Sequence, residues 1–278
     1  MEDLAYINNE FIPADQARVS INDRGYTFAD GVYEVICTRE GGRPFLMAEH
    51  FQRLERSAAG VDIPLPPSYE NWPDIIAEGI KRAGFPETMI YIQLTRGVIP
   101  RHHSFPEPLE PQLLMTFRPR PQHDDSFYNQ GRQAITVEEM RWNRCYLKTI
   151  ALLPNILMKQ KAHRQGCQEA FFISEKDEVH EACAANIFLV KDGVIITPEL
   201  NNYILPGISR QYIIDRARET GMQIICRTCY LEELLAADEV FITSTTVDAM
   251  PITRVDNRQI GSGTPGPITE KVRRLFPS

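Results

Sequence analysis

The sequence predicts a mixed α+β fold in two domains. Segments with period-two alternation are interleaved with segments whose apolar residues recur at helical spacing, from one end of the chain to the other. Arg118-Pro119-Arg120-Pro121-Gln122 is polar, stiff and extended, and marks a boundary. At 278 residues the chain is long enough for one large or two ordinary domains. The expected division is a small N-terminal α/β domain over 1–118, a short Pro-rich linker at 119–122, and a larger C-terminal domain over 123–278.

Residues 5–21 alternate and turn at Asn8-Asn9, which reads as a β-hairpin. A loop, Asp23 through Asp30, runs into the strand Gly31-Val32-Tyr33-Glu34-Val35, which turns at Glu40-Gly41-Gly42-Arg43 and returns through Pro44-Phe45-Leu46. A helix over about 48–59 puts Phe51, Leu54 and Ala58 in the core and stops at Gly60. On an adjacent face, His50, Arg53 and Ser57 recur at i, i+3 and i+7, so that Arg53 points along the core edge. A second helix, 71–83, has Asn71 as cap, Pro73 in its first turn, and Trp72, Ile76, Ile80 and Ala83 as its stripe. Strands at 89–95 and 112–117 flank a long loop, Arg96-Gly97-Val98-Ile99-Pro100-Arg101-His102-His103-Ser104-Phe105, and loops of that length are more often functional than not.

The second half mixes strands at 133–138, 169–173, 187–190 and 239–242 with helices. Pro154 suits the first turn of the helix after Lys148, with Leu153, Ile156 and Leu157 as its buried apolar stripe. Lys159, Lys161, His163 and Arg164 suit its negative end, and Gly166 the residue just past it. Leu205-Pro206-Gly207-Ile208-Ser209-Arg210 opens a helix that runs to about Thr220, and Pro267 starts a final short one.

A net charge of −7 with no compensating basic run argues against a nucleic-acid or anionic-membrane partner. The acidic start Met1-Glu2-Asp3-Leu4 is unlike a signal peptide, and no apolar run approaches a membrane span. Six cysteines without small-domain spacing point to free thiols in a reducing cytoplasm. Cys226-Arg227-Thr228-Cys229 has CxxC spacing, but no second pair exists, so it is read as structural and no metal site is expected.

Lys148 is set among apolar residues. Desolvation disfavours an ammonium and readies an amine to attack a carbonyl and form a Schiff base. Two stretches look like anion seats. Gly207-Ile208-Ser209 feeds a helix N-terminus with outward N–H groups, and Thr243-Ser244-Thr245-Thr246 places four hydroxyls past the end of a strand. Glu181 precedes small residues and an apolar strand, so it should be partly buried and needs a cationic partner. That partner is either a structural arginine or the protonated ring nitrogen of pyridoxal phosphate.

The order and wording of these stretches resemble the fold-type IV pyridoxal-phosphate (PLP) enzymes, and within them the D-amino-acid aminotransferases. The resemblance covers nearly the whole chain. It rests on Asp23 to Tyr26, Asp30 to Val35, Glu49 to Leu54, Thr95 to Gly97 with Pro100 to His103, Cys145 to Leu153, Glu181 to Phe188, Leu205 to Arg210 and Thr243 to Thr246. It implies that Lys148 is the Schiff-base lysine and proton shuttle and that Glu181 binds the pyridine nitrogen. Arg53, Ile208 (through its N–H), Ser209, Ser244 and Thr245 would hold the phosphate. Tyr33, Arg101 and His103 would trap the substrate carboxylate, the last two reaching in from the partner subunit of a homodimer.

The implied activity is ping-pong transfer of an amino group from D-alanine or D-glutamate to a 2-oxo acid. Other branches of the fold act on branched-chain L-amino acids or (R)-amines, or are aminodeoxychorismate lyases, and Arg101-His102-His103 argues against them. Two departures from the bacterial D-aminotransferases put substrate breadth in question: Cys183-Ala184-Ala185 stands where they have a serine run, and Cys37 where they tend to have a lysine.

Overall fold

Turn chemistry sets the first strand pair. A computed structural model describes residues 1–277, which divide into two compact units: 1–121 with 147–151, and 122–146 with 152–277. In the first unit β1 (Leu4–Ile7) and β2 (Glu10–Pro13) join at Asn8 and Asn9, both at positive φ, as a tight hairpin turn requires. The hairpin ends at Pro13 and not at Ile21. A single 3₁₀ turn, Ala14–Gln16, follows the proline, which supplies no N–H for a further rung.

The same unit continues with α1 (Arg24–Phe28), β3 (Gly31–Arg39), β4 (Arg43–Pro44), α2 (Met47–Ala59), α3 (Trp72–Ala83), β5 (Thr88–Thr95) and β6 (Gln112–Pro119). The strands form one antiparallel sheet in the order β2-β1-β6-β5-β3-β4. Its core packs Leu54 and Ala58 of α2 and Trp72 and Ile76 of α3 with Ile36, Ile90, Ile92 and Phe117 of the sheet. These are the stripes the helical periodicity predicts.

The second unit holds α4 (Asp125–Asn129), β7 (Arg132–Glu138), α5 (Leu153–Arg164), β8 (Glu169–Ile173), β9 (Val179–Ala182), β10 (Asn186–Lys191) and β11 (Val194–Thr197). It closes with α6 (Ile208–Glu219), β12 (Ile224–Cys226), α7 (Leu231–Leu235), β13 (Glu239–Thr243), β14 (Met250–Val255), β15 (Arg258–Gln259) and α8 (Pro267–Arg273). The mixed sheet runs β12-β11-β10-β13-β14-β7-β8-β9, with β15 beside β14. Strands β8 and β13 are buried at every residue, so they read as unbroken apolar runs without alternation.

Two expectations are corrected here. The stripe Leu153, Ile156 and Leu157 of α5 is exposed, at 66%, 60% and 50%. The helix lays its other face, Met158 and Ala162, on Ile135, Val137, Ala170 and Phe172. The segment carrying Lys148 belongs with the first unit, although it lies far past the linker in sequence. Residues 147–151 are laced to the start of β3: the Tyr33 N–H donates to the Lys148 carbonyl at 3.0 Å and the Ile150 N–H to the Gly31 carbonyl at 3.0 Å. No helix among the described residues is long and apolar enough to cross a membrane.

Candidate active site

Two sets of side chains carry chemistry, one in each unit. In the first, Lys148 is fixed by its own backbone. Its N–H donates to Ser57 Oγ on α2 at 3.0 Å, and its carbonyl accepts from Tyr33. Leu147 and Thr149 on either side are buried, and Lys148 is half-buried. The Lys148 Nζ lies 4.4 Å from the centroid of the Tyr33 ring, whose π face favours a cation. The lysine and Tyr33 are thus neighbours because the 147–151 segment pairs with β3.

Arg53, one turn before Ser57 on α2, is buried and grips Glu34 of β3. Its Nε donates to Glu34 Oε2 at 2.9 Å and a terminal nitrogen donates to Oε1 at 2.6 Å. His50 Nδ1 donates to the same Oε1 at 3.0 Å. Burial alone would raise the Glu34 carboxyl, but Arg53 and His50 outweigh it and hold the group well below the usual carboxylate range. Burial pushes His50 below the ordinary imidazole range against the pull of Glu34. The sequence reading gives Glu34 no role of its own. A signal for it exists, in a charged residue on the inward parity of a strand between Val32 and Ile36.

In the second unit, Glu181 on β9 is buried. Arg141 donates to its Oε1 at 2.5 Å, the Leu205 N–H to its Oε2 at 2.9 Å, and the Asn186 amide to Oε2 at 3.3 Å. Arg141 is shared, because its Nε and one terminal nitrogen also grip Glu139 at 2.9 and 2.6 Å. The outcome is asymmetric. Burial would raise Glu139, but Arg141 and His180 pull it down to about 2. For Glu181 burial wins over Arg141 and the carboxyl is pushed above its ordinary value. Neither Arg141 nor Glu139 has a role in the sequence reading.

The two anion seats lie at the same end of the second sheet as Glu181. Register pairs Asn186 of β10 with Thr243 of β13, so the hydroxyl turn follows directly beyond Asn186. In that turn the Ser244 N–H donates to the Val247 carbonyl at 3.0 Å, and Ser244 Oγ lies 3.3 Å from Thr246 Oγ1. Helix α6 starts at Ile208 with Gly207 as its N-cap, and no side chain caps its first N–H groups. A Cβ on Gly207 would fall 2.0 Å from Asn186 Oδ1, so only glycine lets the helix start approach the asparagine that touches Glu181. Ser244 and Thr245 are half-buried, Ile208 and Ser209 buried.

Arg101 and His103 stand apart from these sets, exposed on the loop between β5 and β6. Arg101 sits over the Phe28 ring at 4.7 Å, and the His103 ring lies 5.3 Å from the same phenyl.

The first unit thus offers a lysine with a fixed backbone, and the second a buried carboxylate with hydroxyl and N–H groups gathered near it. Residues 31–255, which include the Lys148, Glu181, α6 and hydroxyl-turn segments, match the family model of amino-transferase class IV. The chain belongs to this family.

Among class IV relatives it is 41% identical over 273 residues to a D-alanine aminotransferase of Listeria monocytogenes, covering 97% of this chain and 93% of the relative. It is 38% identical over 272 residues to one from Staphylococcus haemolyticus, covering 98% and 95%. The fold is similar to that of a branched-chain amino acid aminotransferase of Escherichia coli, with TM-score 0.92, 26% identity and 99% and 93% of the two chains covered. It is also similar to a T.th. branched-chain amino acid aminotransferase solved with pyridoxamine 5′-phosphate, with TM-score 0.90, 26% identity and 98% and 92% covered.

Proposed function

We propose that this class IV aminotransferase is a D-amino-acid transaminase that uses pyridoxal 5′-phosphate. One observation carries the D-series reading: 41% identity to a D-alanine aminotransferase across 97% of the chain, against 26% to the branched-chain enzymes that share the fold. D-Alanine or D-glutamate gives up its amino group in one half-reaction, and a 2-oxo acid such as 2-oxoglutarate or pyruvate receives it in the other.

The residues present fit the cofactor. Glu181 is buried with less positive charge than it needs, which suits a protonated ring nitrogen. The uncapped start of α6 and the turn after β13 offer N–H and hydroxyl donors, which suit a phosphate. When bound, the cofactor supplies an electron sink for the pair left as the substrate α-carbon loses its proton.

Within that chemistry Lys148 Nζ would hold the cofactor and move the proton at the α-carbon. Glu181 would hold a protonated ring nitrogen. Ile208 through its N–H, Ser209, Ser244 and Thr245 hold the phosphate, with Arg53 as its cationic partner. Tyr33, Arg101 and His103 bind the substrate carboxylate, Arg101 and His103 being contributed by the second subunit of a homodimer. The protein works in the cytoplasm.

The test is a coupled assay with D-alanine, L-alanine, D-glutamate, L-leucine and an (R)-amine as donors. Turnover of D-alanine with little from L-leucine is expected, and the reverse order would replace the D-series reading with the branched-chain one. Borohydride reduction should fix the cofactor on Lys148. A label on any other lysine would overturn the site assignment.

A further inference from the structure

We propose that two buried arginines, Arg24 and Arg96, and the half-buried Asp30 form a clamp that sets the conformation of the loop bearing Arg101 and His103 and so governs recognition of the substrate carboxylate. The inference rests on the reading that these two residues bind that carboxylate. It adds three positioning residues that touch neither substrate nor cofactor.

The loop from Gly97 to Phe105 contains no helix or strand, and a segment of that kind keeps one shape only where something outside it does the holding. Here the holding comes from one guanidinium. Arg24 is 4% exposed. It donates from one terminal nitrogen to the His102 carbonyl at 2.7 Å and from the other to the His103 carbonyl at 3.2 Å. Its Nε donates to Asp30 Oδ2 at 2.7 Å. The planar fork therefore spans the two peptide units on either side of the His103 α-carbon, which fixes where that imidazole points.

Asp30 is held in turn. Arg96 Nε donates to the same Oδ2 at 2.8 Å, and its terminal nitrogens donate to the carbonyls of Asp62 and Val61, both at 2.7 Å. The clamp is thereby anchored to the turn after α2. Phe105 closes the far end, with Arg96 at 4.0 Å and Arg24 at 5.1 Å from its ring centroid. The near end is sewn down by the backbone: the Arg24 N–H donates to the Gly97 carbonyl at 2.9 Å and the Ile99 N–H to the Asn22 carbonyl at 3.1 Å. Phe28, four residues past Arg24 on α1, is the floor on which Arg101 and His103 rest. Two buried arginines on one carboxylate are a large commitment of charge for a surface loop. Most of their remaining donors go to main-chain carbonyls, so the arrangement specifies backbone conformation.

The experiment is a double-mutant cycle on the purified holoenzyme with D-alanine and 2-oxoglutarate. Arg24→Gln should raise KM for both substrates together, with a loss in kcat/KM on the order of ten- to a hundredfold from misplaced trap residues. The visible absorbance of the bound cofactor should not change. Hydrogen exchange over residues 99–105 should accelerate. In an Arg101→Ala background the same substitution should cost only about twofold more, because the two changes remove one function. Arg24→Lys, which keeps the charge on Asp30 but lacks the fork, should recover part of the loss. It also replaces Arg24→Gln in the cycle if that variant does not fold.

Additive losses, a fall in kcat at constant KM, or unchanged exchange over 99–105 would each overturn the proposal. Failure of the underlying reading is seen separately. An Arg101→Ala enzyme with the clamp intact and undiminished activity on both carboxylate substrates removes the trap, and the role of the clamp with it.

Discussion

Replacing Glu34 by Gln tests Arg53 more sharply than replacing Arg53 itself. Glu34 is fully buried, and it neutralises a buried guanidinium through two hydrogen bonds of 2.9 and 2.6 Å. The glutamine keeps the shape and one acceptor but removes the charge. Breaking a buried ion pair by removing one partner costs roughly 3–5 kcal/mol, and the retained acceptor puts this case near the lower figure. In a chain of this size about 3 kcal/mol lowers Tm by roughly 6–12 °C. That loss applies to the apoprotein. If Arg53 faces the cofactor phosphate, the bound dianion supplies the missing negative charge, and the holoprotein should lose clearly less. Differential scanning calorimetry of Glu34→Gln and the parent chain, each with and without PLP, measures both differences. Equal losses with and without cofactor would refute the assignment of Arg53 to the phosphate, and no loss in the apoprotein would refute the pairing energy.

Three further predictions concern other groups. His50 has its folded pKa depressed, so the unfolded chain binds the proton first; the stability this residue contributes is present above its unfolded value near pH 6.5 and is lost as pH falls below it. Thermal melts of the parent should lose up to about 1.4 kcal/mol per pH unit there, and His50→Asn should flatten that slope. Gly207→Ala should weaken cofactor affinity by about tenfold, read by absorbance titration, because its Cβ would displace the Asn186 side chain that contacts Glu181. Glu181→Gln should retain the cofactor but slow the half-reaction on the order of ten- to a hundredfold, in stopped-flow absorbance, through loss of a charge-assisted bond. Full turnover in that variant would make Glu181 structural.

The parts of this protein that are legible in the sequence are those fixed by short-range rules. Asn8-Asn9 specifies a turn, and the core stripes of α2 and α3 follow from helical spacing. What escapes reading depends on contacts far apart in the chain. Arg141 meets Glu181 across 40 residues, and the Lys148 N–H meets Ser57 across 91. No local pattern marks either. The α5 error has a different source. Periodicity shows that a helix has an apolar face, but α5 has two such faces, and only the sheet beneath decides that Met158 and Ala162 are the covered ones. The same limit applies to Lys148, whose place in the first unit follows from pairing with Gly31 and Tyr33, a tertiary fact.

The two buried ion clusters differ in their charge balance. In the first unit one carboxylate, Glu34, faces one guanidinium, Arg53, and the carboxyl is driven down. There the carboxylate is fully compensated, by Arg53 and by the His50 ring. In the second unit two carboxylates, Glu139 and Glu181, share Arg141, and only Glu139 is driven down. Glu181 stays raised despite its short contact, because Arg141 is already gripped twice by Glu139 and burial prevails. Glu181, the carboxylate beside Gly207 and the hydroxyl turn, is thus the less compensated of the two. If Glu181 holds the ring of the cofactor as proposed, a cationic ring would offset its desolvation, whereas a neutral one would leave the carboxylate uncompensated. On the proposed reading, a protonated pyridine at Glu181 would be favoured by the charge balance of Glu139, Arg141 and Glu181 as well as by its contact with Glu181.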